Sequence, residues 1–250
     1  MVRLIVAPAP ITRIDRAMNE SELFPLLEDA LHAQLATRCR RSYHHDMRNG
    51  LQGIYGGVDA LIRSIRAERP ISIPFDQLVQ FVRHAISNHE AGLERVLSNI
   101  APDEEPATVI DIAELLNELT RFLMSDASRC SVRFRSELQP PLKAHADPAR
   151  TRLAFLGLLT EAIDAMAQSG GELHLHGVDL GGSIEVLMTD ARPGPADARD
   201  VFVLDLTARP LRNGIVLPTV RHIFSSLGGS IECIHLPQAG RRTTVRLPRA

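Results

Sequence analysis

The chain has 250 residues, enough for one large domain or two modest ones, and its 44% apolar and 23% charged residues are ordinary for a globular protein. A net charge of −2 gives no broad attraction to nucleic acids or anionic membranes. No run reaches the roughly 18 apolar residues of a membrane span, and three widely spaced cysteines argue against a disulfide framework. We expect a cytoplasmic protein whose partners are neither nucleic acids nor membranes.

After an N-terminal extension, residues 1–20, the spacing of apolar residues predicts two long helices. The first runs from Ser21 to about Glu68, and Pro25 lies in its first turn, where proline is tolerated. Its apolar seam follows a heptad pattern: His44, Met47, Leu51, Ile54, Val58, Leu61 and Ile65. The second helix, Phe75 to Ile100, has a similar stripe: Val79, Val82, Ile86, Leu93, Val96 and Ile100, with His89 in the missing place.

Residues 21–100 are therefore expected to form a helical hairpin. A lone hairpin buries only part of its apolar stripe, so a partner surface is needed. A second copy of the hairpin would complete a dimeric four-helix bundle, which we favour. The alternative is that both stripes pack on the C-terminal half of the chain.

Residues 101–107 (APDEEPA) have the composition of a linker, and residues 108–250 form the next domain. The predicted elements are helices at 110–124, 147–167 and 214–227 and strands at 131–138, 172–178, 183–189, 201–206, 230–236 and 242–247. This mixture of helices and hairpin-connected strands predicts an α+β sandwich. The expected fold class is thus a helical hairpin joined to an α/β sandwich.

The segment SYHHDMRNGLQGI, residues 42–54, has many ionisable groups on the first helix. His44 falls on the apolar seam, whereas His45 is rotated about 100° from it, toward solvent. A neutral imidazole is a good nucleophile toward phosphorus, and the neighbouring Asp46 can hold the proton on the other ring nitrogen. Asn49, one turn on, can orient a water or a phosphoryl oxygen. The alternative is an exposed His-Asp pair that merely solubilises the helix.

Metal binding is the weaker interpretation of the histidines. His44 and His45 point in different directions on a helix, so they cannot comfortably share one ion. His174 and His176 share a strand face, but no third ligand stands near them in the sequence. We therefore expect no metal site formed by the chain's own histidines.

The segment HDMRNGL, residues 45–51, resembles the phosphoacceptor box of bacterial sensor histidine kinases, H-[DE]-x-[RK]-[TN]-x-L. The resemblance implies that His45 carries a phosphoryl group, that Asp46 is a general base, and that Asn49 positions water for dephosphorylation. Arg48, on the neighbouring face, could steady phosphoryl oxygens.

The second half of the chain resembles the ATP-binding domain of the same family. GLLTEAIDAM, 157–166, is similar to the asparagine box, and TDARPGP, 189–195, to the first glycine box. NGIVLPTVRHIFSSLGGSI, 213–231, resembles the second glycine box with its helix, and TTVRLP, 243–248, the last strand. The resemblance thus implies a C-terminal sandwich of the histidine-kinase ATPase type. Its cofactor-binding residues would be Glu161, Asp190, Gly194 and Gly214.

The departures from the family pattern fall on the nucleotide site. Glu161 replaces the magnesium-binding asparagine, Arg192 replaces a glycine, and Val216 lies where the backbone must approach phosphates closely. The strand predicted at 201–206 (VFVLDL) suits ordered structure rather than a loop that closes over ATP. The site is therefore expected to bind ATP poorly or not at all, although Glu161 could still be an oxygen ligand for Mg²⁺.

The leading hypothesis is a homodimeric phosphorelay protein of two-component signalling, a histidine phosphotransferase. His45 would exchange a phosphoryl group with aspartates of response-regulator receiver domains, and the receivers would supply the magnesium, so no cofactor is expected. The alternatives are an ATP- and Mg²⁺-dependent sensor kinase with a divergent site, or a non-catalytic scaffold that binds receivers or a kinase.

Overall fold

The fold is taken from a computed structural model that describes residues 20–66, 73–100, 106–192, 201–204, 212–236 and 240–250. Its helices are α1 (Glu20–Ile65), α2 (Phe75–Ile100), α3 (Ile112–Phe122), α4 (Met124–Arg129), α5 (Pro148–Ala165) and α6 (Arg212–Ser226). Its strands are β1 (Thr108–Asp111), β2 (Val132–Leu138), β3 (Lys143–Ala146), β4 (Gly171–Asp179), β5 (Ser183–Asp190), β6 (Ser230–Leu236) and β7 (Gly240–Pro248). Most of the predicted N-terminal extension and residues 101–105 of the predicted linker lie outside the described residues.

Helices α1 and α2 pack against each other as a hairpin. Leu78 and Val82 of α2 are buried, and the helices approach closely at Gly57 of α1, where an added Cβ would lie 2.5 Å from Cγ2 of Val82. A side chain at position 57 would therefore push the helices apart. Of the predicted seam, the described residues Met47, Leu51, Ile54 and Leu61 are half-buried, whereas Val58 and Ile65 stay exposed.

Several large apolar side chains of the hairpin face solvent. On α1 they recur at steps of three and four, which places them on one side of the helix. The exposed set between Tyr55 and Ile86 is Tyr55, Val58, Ile62, Ile65, Ile73, Phe75, Phe81 and Ile86. In the described part of the chain, none of the helices has the length and apolar character that a membrane span requires.

The C-terminal part is a five-stranded mixed sheet in the order β2-β4-β5-β7-β6, covered on one face by helices. Strands β2 and β4 are parallel, and the other neighbours are antiparallel. Alternate residues of the central strands point into the core, such as Leu173 and Leu175 of β4 and Ile184, Val186 and Met188 of β5. This is an α+β sandwich, as predicted.

Two short strands were not predicted, β1 and β3, which pair with each other outside the main sheet. The single helix expected over 110–124 instead begins at Ile112, because Asp111 caps it: its carboxylate accepts hydrogen bonds from the backbone N–H groups of Ala113 and Glu114. Asp147 caps α5 in the same way through Arg150 N, and Pro148 follows at the first helical position.

The strand predicted at 201–206 is wrong for the residues that the structure describes there. Residues 201–204 form a turn, and residues 205–206 lie outside the described part. The aromatic side chain of this segment is buried although no strand pairs with it. Phe202 is nearly buried, and the guanidinium carbon of Arg221 lies 5.1 Å from its ring centroid. Packing on α6 thus replaces the cross-strand pairing that the β-branched pattern suggested.

The first half of α1 belongs to the core of the α+β domain. Leu31, Leu35 and Cys39, spaced by one helical turn, are buried in the same apolar cluster as the residues of α3, α5 and α6. Leu31 reaches α5, since a Cβ at Gly157 would lie 3.6 Å from Leu31 Cδ2. Burial raises the pKa of the Cys39 thiol to about 11, so it stays protonated near neutral pH. Each buried leucine contributes roughly 1.5–3 kcal/mol, as an upper estimate.

Candidate functional site

The predicted phosphoacceptor segment lies within α1. The helix is continuous through residues 41–46, but the side chains of these residues, including His45 and Asp46, lie outside the described part. Arg48 and Asn49, one turn or less beyond His45, are exposed. The exposure of the His45 imidazole therefore stays a prediction, as does its role.

The predicted nucleotide site contains four charged residues from three elements. Glu161 lies on α5, Asp190 ends β5, Arg192 follows two residues later, and Arg241 begins β7. The sheet register places Asp190 directly opposite Arg241, and α5 packs over this end of the sheet. We call these four residues the ion cluster.

Arg192 holds the two carboxylates of the ion cluster together. Its Nη1 and Nη2 donate to Oε1 and Oε2 of Glu161 at 2.7 and 2.9 Å. Its Nε and Nη2 donate to Oδ1 and Oδ2 of Asp190, both at 2.6 Å. The planar guanidinium thus binds both acids in the forked geometry that makes such pairs strong.

Arg241 completes the ion cluster from the opposite strand. Its Nη1 donates to Glu161 Oε1 at 3.2 Å, and its Nη2 contacts Glu161 Oε2. Its Nε lies 3.9 Å from Asp190 Oδ2. All four side chains are nearly buried, with exposed fractions of 12% for Glu161, 10% for Arg192, 4% for Arg241 and 3% for Asp190. Two carboxylates and two guanidiniums make the cluster neutral, which is how buried charges are tolerated.

The cluster keeps Glu161 ionised. Burial by itself would raise the pKa of this carboxyl, but the positive charges of Arg241 and Arg192 outweigh burial and lower the pKa to about 2. Burial would likewise lower the pKa of the Arg192 guanidinium, yet its hydrogen bonds to Glu161 and Asp190 raise it above its usual value. Each charge of the cluster therefore stabilises its opposite.

This arrangement does not fit a magnesium–nucleotide complex. Both oxygens of Glu161 bind arginines, so neither is free for a metal ion. Both oxygens of Asp190 bind Arg192 and the side chain is only 3% exposed, so an adenine amino group would have to share or displace these contacts. Gly214 is buried in the first turn of α6, and Gly194 lies outside the described residues. Of the four predicted cofactor-binding residues, the structure thus brings together Glu161 and Asp190, but as partners of arginines.

A cleft of about 510 Å³ lies beside the ion cluster, between α1 and the helices of the α+β domain. The residues that matter for its shape are Leu35, Arg38, Asp126, Glu161, Asp164 and Val216. Glu161 therefore belongs both to the ion cluster and to the lining of a cleft that α1 borders. The predicted nucleotide site and the helix with the phosphoacceptor segment are neighbours in the molecule.

Two residues of this region were missed from the sequence. Arg241 could have been found, because alternation along its strand places it with Thr243, Val245 and Leu247 on the buried face, where an arginine needs a partner. Arg38 could have been suspected from its place between Leu35 and Cys39 in a four-residue apolar repeat. Its two acidic partners, 88 and 126 residues away in the chain, have no local signal.

The histidines considered for metal binding lie elsewhere. His174 and His176 are half-buried on β4, and His174 Nε2 is 3.4 Å from Glu137 Oε1 at the edge of the sheet. Within the described ranges, no group of three or more histidine, cysteine, aspartate and glutamate side chains could hold a metal ion.

Comparison with known proteins identifies relatives of both halves of the chain. Over an aligned length of 233, which covers 91% of this chain and 54% of the other protein, the chain is 21% identical to sporulation kinase B of Bacillus subtilis (strain 168). The chain therefore spans about half the length of the curated relative that it matches. No protein-family model matches the chain.

The fold is similar to that of a histidine kinase domain. Two nucleotide-free crystal forms of the catalytic domain of histidine kinase ThkA superpose with TM-scores of 0.53 and 0.52, at 20% identity. Each match covers 58% of this chain and 97% or 99% of the ThkA domain. These matches show that the sandwich has the fold of a histidine kinase catalytic domain, and that the chain is similar in sequence to a sporulation kinase over most of its length.

Proposed function

We propose that the chain is a two-component phosphotransfer protein that accepts a phosphoryl group on His45 and exchanges it with aspartates of receiver domains, without using ATP. Residues 21–100 carry out the transfer. Residues 108–250, joined to them by the linker 101–107, are a degenerate nucleotide-binding domain. The similarity to sporulation kinase B and the kinase-like fold support the signalling role in general, and the ion cluster supports the independence from ATP.

The transfer uses the imidazole as a nucleophile. A neutral ring nitrogen of His45 attacks the phosphorus of a receiver's aspartyl phosphate, and the bond from phosphorus to the carboxylate oxygen breaks, with the electron pair leaving on the carboxylate. Asp46 takes the proton from the other ring nitrogen, and Arg48 steadies the phosphoryl oxygens. Asn49 positions water when the phosphohistidine is hydrolysed. The receiver contributes the magnesium that neutralises the aspartyl phosphate.

The ion cluster is the observation that carries this proposal. The two carboxylates that would contact magnesium and adenine are each held by bidentate arginine contacts. A nucleotide would have to displace Arg192 from both acids at once. Breaking a buried ion pair leaves unpaired charge in a medium that solvates it poorly, which costs about 3–5 kcal/mol. That cost opposes nucleotide binding.

A homodimer is the second part of the proposal. The exposed set from Tyr55 to Ile86 forms an apolar surface on the hairpin, and exposed apolar patches of this kind are typical of interfaces. Packing against the same surface of a second copy would complete a four-helix bundle. The response-regulator receiver is then expected to approach the bundle near His45.

The decisive experiment offers the purified chain two phosphoryl donors separately. One is ATP with Mg²⁺, and the other is a receiver domain phosphorylated on its aspartate. We expect label on the chain from the receiver and none from ATP. The label should be lost in His45→Ala and kept in His44→Ala, a matched control on the same helix. Labelling by ATP alone, or equal labelling of both variants, would contradict the proposal.

An ATP-dependent autokinase with a divergent nucleotide site is the second candidate, favoured by the likeness of the fold to a kinase catalytic domain and by the presence of Asp190. It predicts nucleotide binding and ATP-dependent labelling of His45 with Mg²⁺. A non-catalytic scaffold that binds receivers or a kinase is the third, and it predicts that His45→Ala leaves the signalling output unchanged. The two-donor experiment separates the first two, and the variant separates the third.

A further inference from the structure

Polar or aromatic contacts at Phe24, Glu28 and Arg38, three places on the described part of α1, fasten the first half of this helix to the α+β domain, around the buried Leu31, Leu35 and Cys39. Near the start of the helix the rings of Phe24 and His222 stack, with centroids 3.9 Å apart and planes 3° from parallel. One turn later, Arg150 donates from Nε and Nη2 to the two oxygens of Glu28 at 3.0 and 2.6 Å. The third contact, at Arg38, lies nearest the phosphoacceptor segment.

Arg38 connects α1 to two helices of the domain at once. Its Nε donates to Asp126 Oδ2 on α4, and its Nη1 donates to Asp164 Oδ1 on α5, both at 2.7 Å. Asp126 is almost fully buried, and the guanidinium is mostly covered. The planar guanidinium of Arg38 donates in two fixed directions to acids on two different helices, so it defines both the position and the rotation of α1 at this point. The ammonium group of a lysine, a point charge on a flexible chain, would not do so.

Arg38 lies close enough to His45 along α1 to affect the orientation of the helix there. His45 follows it by seven residues, which is two helical turns, or about 10.5 Å along the axis. Because α1 is continuous from Glu20 to Ile65, a rotation or tilt at Arg38 is transmitted to the backbone of residue 45. The backbone at His45 therefore takes its orientation from the contacts of Arg38.

We propose that Arg38 is a positioning residue for phosphotransfer: by binding Asp126 and Asp164 it fixes α1 on the α+β domain and presents the segment around His45 in a single orientation. The proposal rests on the proposed function for its consequence in catalysis. The fixed orientation of α1 is a property of the chain with or without that function. The α+β domain would then contribute to phosphotransfer by orienting α1, without binding a nucleotide.

The first experiment measures the orientation directly. Nitroxide labels are attached through non-natural amino acids at the exposed positions Asp59 on α1 and Glu172 on β4, which leaves the native cysteines untouched. Labelled chains are diluted into a tenfold excess of unlabelled chains, so that distances within one chain dominate. We expect one narrow distance distribution, broadened in Arg38→Ala and unchanged in Arg129→Ala. Arg129 is the matched control, because it also pairs with Asp126 but lies on α4 itself.

The second experiment measures transfer from a phosphorylated receiver. A misplacement of about 1 Å can lower a rate up to about 100-fold. We expect Arg38→Ala to lower the transfer rate at saturating receiver by at least about tenfold, and Arg129→Ala to leave it unchanged. Arg38→Lys keeps the charge without the fork and should behave like Arg38→Ala. If Arg38→Ala fails to fold, Asp164→Asn removes one contact of Arg38 and should give a smaller broadening and a smaller loss of rate.

The outcomes separate this inference from the proposed function. If the unmodified chain takes no label from the receiver, the proposed function fails, while the distance measurement still tests the role of Arg38. If Arg38→Ala keeps the narrow distribution, or transfers phosphoryl groups as fast as Arg129→Ala, the positioning role is overturned.

Discussion

The α+β domain and the hairpin differ in where each finds partners for its charged and apolar groups. The domain pairs the charges of the predicted nucleotide site internally: Glu161 and Asp190 bind Arg192 and Arg241. Its core also includes Leu31, Leu35 and Cys39 from the first half of α1. The hairpin beyond that point leaves large apolar side chains such as Tyr55 and Ile62 in solvent. Of the described residues, the charges of the ion cluster are paired inside the domain and large apolar side chains of the hairpin are exposed, which is why the proposed partner surface is on the hairpin.

Removing one arginine from the ion cluster should have the largest effect on the stability of the domain. Arg241→Met leaves Glu161 and Asp190 to share Arg192, with uncompensated negative charge in a buried site. We expect a loss of about 3–5 kcal/mol in the free energy of unfolding, measured by urea denaturation. Arg242→Met changes the neighbouring exposed arginine and should cost less than about 0.5 kcal/mol. Equal losses in the two variants would contradict the closed, neutral cluster.

The two halves of α1 should respond differently to truncation of an apolar side chain. Leu31→Ala opens a cavity in the domain core and should cost about 2–5 kcal/mol. Ile62→Ala lies on the exposed part of the hairpin and should cost less than about 1 kcal/mol in dilute protein, where no second copy covers it. The measurement is the urea midpoint at low protein concentration. If the urea midpoint of Leu31→Ala were as high as that of Ile62→Ala, the burial of Leu31 would add no stability to the domain.

A charge on the exposed hairpin surface should act on assembly and not on folding. Ile62→Asp introduces a carboxylate into the proposed dimer interface, and we expect the dimer Kd to rise at least tenfold, which is about 1.4 kcal/mol. Sedimentation equilibrium gives the Kd, and circular dichroism checks that helix content is unchanged. As a control, Asp59→Asn alters a polar neighbour on the same helix. An unmodified chain that stays monomeric at high concentration would remove the dimer from the proposal.

The free energy of unfolding should fall gradually as the pH is lowered, because Glu161 becomes protonated over a range of pH. The pKa of Glu161 is about 2 in the folded chain, below its ordinary value of 4.5, so the folded state holds this carboxyl ionised more strongly than the unfolded state does. Its contribution to stability is complete above pH 4.5 and is lost as the pH falls from 4.5 toward 2, with a slope of up to about 1.4 kcal/mol per pH unit. The measurement is the pH dependence of the unfolding free energy. Glu161→Gln should flatten the slope in this window.

The sequence predicted most of the elements because their signals are local. The apolar alternation of β4 and β5, the caps before α5, and the heptad spacing of α1 all lie within a few residues of what they specify. It failed where local signals conflict with tertiary contacts. Residues 201–204 have the composition of a strand, but Phe202 is buried against α6 and pairs with no strand.

For the candidate site, the sequence identified Glu161, Asp190 and Arg192 but not their relations, and it missed Arg241. Glu161 and Arg192 were noted as two separate departures from the family pattern, and the structure joins them as an ion pair of opposite charges. In this chain the two departures therefore form a single feature of the site, an ion pair. The phosphoacceptor segment, by contrast, was identified from contiguous residues, and the orientation of His45 stays a prediction.

The amino-acid pattern alone specified the order of helices and strands, the resemblance of residues 45–51 to a phosphoacceptor box, and the replacement of an asparagine and of some glycines expected around a nucleotide. Only the tertiary structure decided that Arg241, 80 residues after Glu161, enters the same buried cluster, and that Arg38 binds two acids on α4 and α5. The physical reason is that backbone periodicity and capping act over a few residues. The pairing of buried charges depends instead on contacts between segments that are distant in the sequence. The pairing of β5 with β7 and the packing of α1 on the domain bring those segments together.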